Sequence, residues 1–288
     1  TAPGLILQEG DKHIILLPGP PNELIPMFEN QIASWIQKKQ PGVIYSKTVK
    51  ICGMGESKVA SEIQDILDGQ QNPTVAPYAK TGEVHLRVTA KAVDEKTAKQ
   101  LVKPVVKELK NRFGMYIYTT EEAITLEKAV VELLLANKLT VSTAESCTGG
   151  LLAARLINVP GVSEGFKSGC ITYSNKAKRK VLGVKKTTLH KYGAVSEEVA
   201  REMALGAAQV TKADVTVAVT GIAGPDGGSE EKPVGLVYIA CCVCKKITVK
   251  KYRFSGNRAK VREAAVSAAL TLMRQNILEY YSEVTFGK

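Results

Sequence analysis

Thr143-Ala144-Glu145-Ser146-Cys147-Thr148-Gly149-Gly150 is the stretch that decides how most of this chain is read. The residues before it, Leu139-Thr140-Val141-Ser142, are apolar and β-branched and read as a buried strand. Those after it, Leu151-Leu152-Ala153-Ala154-Arg155-Leu156-Ile157, carry apolar side chains at helical spacing. A hydroxyl and a thiol therefore stand where a strand stops and a helix starts. The free N–H groups of a first helical turn point outward there and can hold an anion. The two glycines let backbone approach a ligand with no Cβ in the way. Two readings follow: a nucleophile beside an oxyanion site, or a Ser/Thr cap before a glycine-rich turn. On these residues alone both stay open.

Outward from this stretch, strands and helices alternate from Thr125 onward. A helix is expected over 125–137, a strand over 139–144, a helix from 149, a strand over 169–173 and a short helix over 175–182. Leu189–Gly193 reads as a turn. Ser196 caps a long helix over 197–211, with Glu197 and Glu198 in its first turn. Strands over 215–220, 235–243 and 247–254 and a helix from Ala259 complete an α/β domain. In front of it, residues 46–118 read strand, glycine-rich turn, helix, two strands, helix, strand, which makes a small two-layer α+β domain. Its Gly53-Met54-Gly55-Glu56 follows a strand, whereas the Gly-x-x-Gly clamp of KH domains separates two helices, so packing is the preferred reading. Residues 5–17 read as a hairpin and Leu24–Lys39 as a helix, the remnant of a further domain. Pro41-Gly42 punctuates its end. The divisions are placed at 1–45, 46–120 and 121–288.

Hydrophobic residues make up 44% and charged residues 23% of the 288, which supports packed cores in more than one domain. No stretch approaches the ~20 apolar residues that span a bilayer, and no signal peptide is visible, so a cytoplasmic protein without a membrane partner is expected. Six cysteines at 52, 147, 170, 241, 242 and 244 have no framework spacing and read as reduced thiols. Cys241-Cys242-Val243-Cys244 continues a strand run rather than forming a zinc knuckle. The net charge of +11 divides into −1 over 1–45, +4 over 46–120 and +8 over 121–288. That balance favours anionic partners, either nucleic acid or phosphorylated small molecules.

Three stretches of small and polar residues fall at the expected strand ends, where open α/β sheets hold their ligands. They are Glu145–Gly150, Thr172-Tyr173-Ser174-Asn175, and Thr220-Gly221-Ile222-Ala223-Gly224-Pro225-Asp226-Gly227-Gly228. The last suits close approach of backbone to phosphate or ribose, with a wide surface turn as the alternative. Of the three histidines, His13, His85 and His190, only His190 lies in this domain. A Ser-His-Asp triad would depend on it, and a histidine-built metal site cannot form from one, so neither metal nor cofactor is expected. If Ser146 is a nucleophile, its base is a lysine, as in Ser-Lys hydrolases. At an ordinary pKa of ~10.4 only about one lysine in 2500 is neutral at pH 7, so the base needs a lowered pKa. Burial and neighbouring cations both lower it. Lys178, among Lys176, Arg179 and Lys180, reads on its own as a surface helix lysine.

Taken together, Ala144–Gly150, Thr172–Asn175, Gly193-Ala194-Val195-Ser196, Gly221–Gly228 and Lys232-Pro233-Val234-Gly235 resemble the C-terminal domain of the CinA family. The resemblance covers about 160 residues in the right order, and that domain is the nicotinamide mononucleotide amidohydrolase. It implies a three-layer α/β amidohydrolase domain. Residues 46–118 resemble the KH-like middle domain of the family. Leu17–Glu23 resembles the end of its molybdopterin-binding-like domain, whose ADP-ribose pyrophosphatase activity is not expected here. By position in the family's motifs the nucleophile falls on Ser146, the base on Lys178, and Tyr173 stands near the pair. Backbone at Cys147, Thr148, Gly149 and Gly150 is expected to stabilise the oxyanion. Glu145, Asn175, Thr220, Gly221, Gly224, Gly227, Gly228, Arg258 and Arg262 are expected to bind substrate. Asn257, where the family more often has an acid, is the one departure. The implied reaction converts nicotinamide mononucleotide (NMN) to nicotinic acid mononucleotide and ammonia, and the implied assembly is a homodimer.

A different reading is a basic nucleic-acid-binding module, consistent with competence and DNA damage in the family's name. It requires steep salt dependence, and an aromatic content of 6% offers few stacking platforms. A non-catalytic scaffold is a third reading.

Overall fold

Strand β7 (Val141–Glu145) is buried at every residue and lies between two parallel neighbours in a five-stranded sheet, in a computed structural model that describes residues 2–39 and 42–286. Pro41, read as boundary punctuation, lies outside the described residues, as does Thr1. The chain opens with the hairpin β1 (Leu5–Glu9) and β2 (Lys12–Leu16). The helical stretch that follows starts earlier than expected, at Pro21. It runs as α1 (Pro21–Met27), a π-helical turn (Phe28–Ile32) and α2 (Ala33–Lys39).

Next come β3 (Val43–Cys52), α3 (Glu56–Glu62), α4 (Gln64–Gly69), β4 (Thr74–Lys80), β5 (Glu83–Ala92), α5 (Glu95–Phe113) and β6 (Ile117–Thr119). The four strands form an antiparallel sheet in the order β4-β5-β3-β6. Val49 and Ile51 of β3 and Val84, Leu86 and Val88 of β5 alternate onto one face. There they pack on Val59, Ile63, Val102, Leu109 and Phe113 of the helices. The opposite face carries polar residues with partners. Buried Lys50 donates to the carbonyls of Glu122 and Ile124 at 2.7 and 2.8 Å, and Tyr118 Oη bonds to Glu83.

The rest is α6 (Leu126–Ala136), β7, α7 (Leu151–Ile157), β8 (Phe166–Ile171), α8 (Asn175–Leu182), α9 (Lys186–Tyr192), α10 (Glu197–Thr211), β9 (Val215–Gly221), β10 (Leu236–Val243), β11 (Lys246–Arg253) and α11 (Arg258–Phe286). Its sheet order is β11-β10-β9-β7-β8, with β7 parallel to β8 and β9 and the other pairs antiparallel. Val141, Val217, Val219, Val237 and Ile239 face α6, α7 and α11. On the other side Ala144, Ala218 and Ala240 stand in register across three strands, a row of small residues against Ala200, Met203, Ala204 and Ala207 of α10. Helices thus cover both faces, and the domain has three layers. Cys241 and Cys242 are buried strand residues of β10.

Helix α9 replaces the turn expected at Leu189–Gly193. It has one buried apolar residue, Leu189, and so no readable periodicity. Its start is held from outside, because the Glu202 carboxylate accepts from Lys185 N–H at 2.8 Å and from Thr188 Oγ1 at 2.7 Å. Strand β8 stops at Ile171 rather than at Tyr173, because the next two carbonyls turn toward a lysine. None of the helices among the described residues is long and apolar enough to cross a membrane.

Candidate active site

Because β8, β7 and β9 are parallel and in register, their C-terminal ends fall on one edge of the sheet. Glu145 pairs with Ile171 and with Val219, so Ser146, Thr172 and Thr220 become neighbours. Two backbone bonds tie them together: Ser146 N–H to Val219 O at 2.9 Å and Thr172 N–H to Glu145 O at 2.8 Å. A cavity of about 210 Å³ opens at this edge, lined among others by Ser146, Cys147, Tyr173, Lys178, Thr220 and Arg258.

Lys178 enters the site from α8. Ser174 Oγ caps this helix by accepting from Ala177 N–H at 3.1 Å. One face of α8 carries Lys178 and Leu182, both buried, while Lys176, Arg179 and Lys180 are exposed. Lys178 is 1% exposed, and its Nζ donates to Ser146 Oγ at 2.9 Å, Thr172 O at 2.9 Å and Tyr173 O at 3.2 Å. Burial lowers its pKa to about 8, with Cys147 opposing weakly. The neighbouring cations of its own helix are not the cause, since they point to solvent. At that pKa about one Lys178 in eleven is neutral at pH 7. A neutral amine keeps two N–H groups for the two carbonyls and turns its lone pair to the Ser146 hydroxyl. The arrangement can take a proton from that hydroxyl.

Cys147 is a poor rival. Its thiol is buried, burial pushes its pKa up to about 11, and Lys178 bonds to the neighbouring serine instead. His190 lies on the exposed side of α9, beside a different cavity, so no triad forms through it. Among the described residues no group of three or more His, Cys, Asp or Glu could hold a metal ion.

Several expected substrate contacts have other occupations. The Glu145 carboxylate is 1% exposed and accepts from the N–H groups of Gly150 (3.0 Å), Leu152 (3.0 Å) and Ala153 (2.8 Å) and from Thr143 Oγ1 (3.2 Å). It neutralises the N-terminus of α7, the place where an anionic ligand was expected. The expected oxyanion site narrows accordingly. Gly150 N–H belongs to Glu145, Gly149 N–H donates to Ser146 O at 3.1 Å, and only Cys147 and Thr148 N–H remain outside backbone hydrogen bonds. Gly150 earns its place otherwise: φ is +93° and a Cβ would lie 2.9 Å from Ile171 Cδ1.

Arg262 donates from Nε to Cys147 O at 3.1 Å and from Nη2 to Thr148 O at 2.7 Å. Its guanidinium is turned onto the nucleophile turn. Arg258 bridges Gly224 O at 2.8 Å and Tyr173 Oη at 3.0 Å, with further N–H donors left over. Thr220 Oγ1 donates to Ala194 O at 2.8 Å, and Thr220 and Gly221 line the cavity. Gly227 and Gly228 do not line it, and Asn175 lines the basic cavity on the far side of α8 with Lys176, Arg179, Lys180 and His190. As the first residue of α8, Asn175 lies outside the Ser146 cavity.

Ala194, Val195 and Ala223 line the cavity but were not among the expected site residues. Lys232 braces that wall, donating to Tyr192 O at 2.6 Å and Val195 O at 2.8 Å. The motifs Gly193–Ser196 and Lys232–Gly235 were the available signal for this wall.

Comparison with known proteins adds a lineage. The CinA C-terminal domain matches residues 123–277, and the Damage-inducible protein CinA KH domain matches residues 46–119. A protein of Clostridium beijerinckii whose name carries the words "competence-damage inducible protein" is 51% identical over 279 residues, 97% of this chain and 68% of its own length. A CinA-like protein of Kosmotoga olearia is 50% identical, covering 96% of this chain and 67% of its own. The crystal structure of the competence/damage inducible protein CihA from Agrobacterium tumefaciens superposes with a TM-score of 0.51. It is 44% identical over 51% of this chain and 91% of its own.

Proposed function

The chain belongs to the CinA family, and from that premise we propose that it hydrolyses the carboxamide of NMN to nicotinic acid mononucleotide and ammonia. The observation that carries this reading is the buried Lys178 Nζ at 2.9 Å from Ser146 Oγ. Neutral Lys178 takes the hydroxyl proton while Ser146 Oγ bonds to the carboxamide carbon. The Cys147 and Thr148 N–H groups stabilise the oxyanion, where loss of one donor typically costs ~3 kcal/mol. The Lys178 ammonium returns the proton to the departing nitrogen, which leaves as ammonia. Water, deprotonated by the same amine, then cleaves the acyl-enzyme and frees the acid. The cavity beside Tyr173 takes the pyridine ring, and the spare Arg258 donors suit a phosphate.

The test is ammonia release from NMN, with free nicotinamide as the control. Ser146→Ala is expected to lose it completely while retaining the wild-type melting temperature. Substantial turnover by that variant would remove Ser146 from the mechanism, and no release by the wild type would remove NMN as substrate.

A further inference from the structure

We propose that Arg262 is a positioning residue whose guanidinium sets the peptide planes of the nucleophile turn, aiming the Thr148 N–H at the developing oxyanion. The inference rests on the Ser-Lys hydrolase reading and gives Arg262 a role other than substrate contact.

In a trans peptide the C=O and N–H point in opposite directions. Thr148 N–H shares its plane with the Cys147 carbonyl, and that oxygen is held by Arg262 Nε at 3.1 Å. Arg262 Nη2 holds the next carbonyl, Thr148 O, at 2.7 Å. Two successive carbonyls are therefore drawn toward α11, and the Thr148 N–H is directed away from it. The Cys147 N–H is fixed by a similar device. Its plane carries the Ser146 carbonyl, which accepts from Gly149 N–H at 3.1 Å. Both N–H groups stay outside backbone hydrogen bonds and sit beside the Cys147 sulfur, a weak acceptor that an oxyanion displaces readily.

The other end of the turn is clasped by the Glu145 carboxylate through Gly150, Leu152 and Ala153. Five residues are thus held between a carboxylate and a guanidinium before any ligand arrives. That is the preorganisation that oxyanion stabilisation needs, because donors that must reorient during the reaction contribute less. Arginine suits the task because its planar fork fixes the direction between its two donors, Nε and Nη2, whereas an ammonium is a single point at the end of a flexible stem. The root of the fork is rigid: Val261 and Ala265, on either side of it in α11, are fully buried.

A phosphate contact is the rival role for Arg262, and it predicts opposite kinetics. Arg262→Lys and Arg262→Gln are compared with wild type in two assays, NMN turnover and labelling by a small fluorophosphonate. In labelling, Ser146 Oγ bonds to phosphorus, the P–F bond breaks, fluoride leaves and Lys178 takes the hydroxyl proton. The proposal expects kcat about 100-fold lower with KM within about threefold, and a comparable loss in labelling rate, in both variants. The rising limb of the pH profile stays where the wild type has it, since Lys178 is untouched. A KM raised tenfold or more with kcat and labelling retained overturns the proposal in favour of a phosphate contact. Unchanged kcat and unchanged labelling overturn it as well. Should Arg262→Gln lose its melting transition, Arg262→Lys, the milder change, decides alone. A wild type that labels at Ser146 but leaves NMN intact defeats the substrate assignment, while the labelling rates still decide the role of Arg262.

Discussion

Two turns in this molecule leave a strand, pass through glycine and enter a helix: Gly53-Met54-Gly55 after β3, and Ser146–Gly150 after β7. The first lies against the middle of α11, where a Cβ on Gly53 would sit 2.5 Å from Gln275 Nε2. Both turns line cavities, and only the second carries a hydroxyl at its root. The difference comes from the sheets. All pairs in the four-stranded sheet are antiparallel, so turns that follow neighbouring strands go to opposite edges. In the larger sheet β8, β7 and β9 are parallel, and three turns gather at one edge. A glycine turn after a strand is a packing device in the first case. In the second it is one wall of a site, because the turn itself carries the hydroxyl, α8 brings the lysine and α11 brings the arginines.

The largest expected effect of breaking this contrast is at Lys178. Lys178→Met keeps most of the length of the side chain and removes the proposed base, so ammonia release from NMN should fall by about 10³-fold or more. Gly55→Ala, at the corresponding edge of the other sheet, should leave the rate unchanged, since nothing lies within 4 Å of the added methyl. Glu145→Gln comes next. The amide replaces one carboxylate oxygen by a donor that faces backbone N–H groups, so charged hydrogen bonds worth ~1.5–3 kcal/mol each are lost. Activity should drop about 10- to 100-fold as the turn loses its geometry, and the melting temperature by about 5–10 °C.

A tenfold effect is expected from pH alone. In the proposed mechanism the active form of Lys178 is the neutral amine, and burial sets its pKa at about 8 rather than 10.5. The kcat/KM for NMN should therefore rise tenfold per unit of pH below 8 and level off above it. A lysine in water would keep rising to about 10.4. A profile that climbs without a break to pH 10 would mean that Lys178 is solvated in the working enzyme.

Much of the order of strands and helices in both domains was legible, because strands such as β5 alternate, β10 is largely apolar, and helices such as α5 and α10 have a helical period. The α10 bounds and the Ser196 cap follow directly from such signals. Helix α9 was not legible, since a partner carboxylate on α10 holds its start. At the site, the shortage of histidine pointed to a lysine base, but the burial of Lys178 could not be read from a segment with three other cations. Glu145 and Arg262 were read as substrate contacts, and the backbone contacts they make were not legible: carboxylate-to-backbone and guanidinium-to-carbonyl contacts leave no pattern in side-chain type. Asn175 shows the converse, a polar residue in a site motif that the helix start carries to another cavity.

The smallest effect tests the packing turn itself. Gly53 has φ of +78°, and an added Cβ meets Gln275 Nε2 at 2.5 Å and Thr271 Cγ2 at 3.0 Å. Gly53→Ala therefore carries two costs, about 1–2 kcal/mol for an L-residue in left-handed backbone and a further term for the contact. The contacting atom ends a flexible glutamine, so Gln275→Ala should relieve the contact without touching the backbone cost. In urea unfolding, Gly53→Ala should lower stability by about 1–3 kcal/mol, and the double variant should recover only part of that loss. Ammonia release should stay within about twofold of wild type in both, because Gln275 lies more than three turns along α11 from Arg262. A large loss of turnover in Gly53→Ala would show that the packing turn supports the site through α11, and the contrast between the two turns would have to be redrawn.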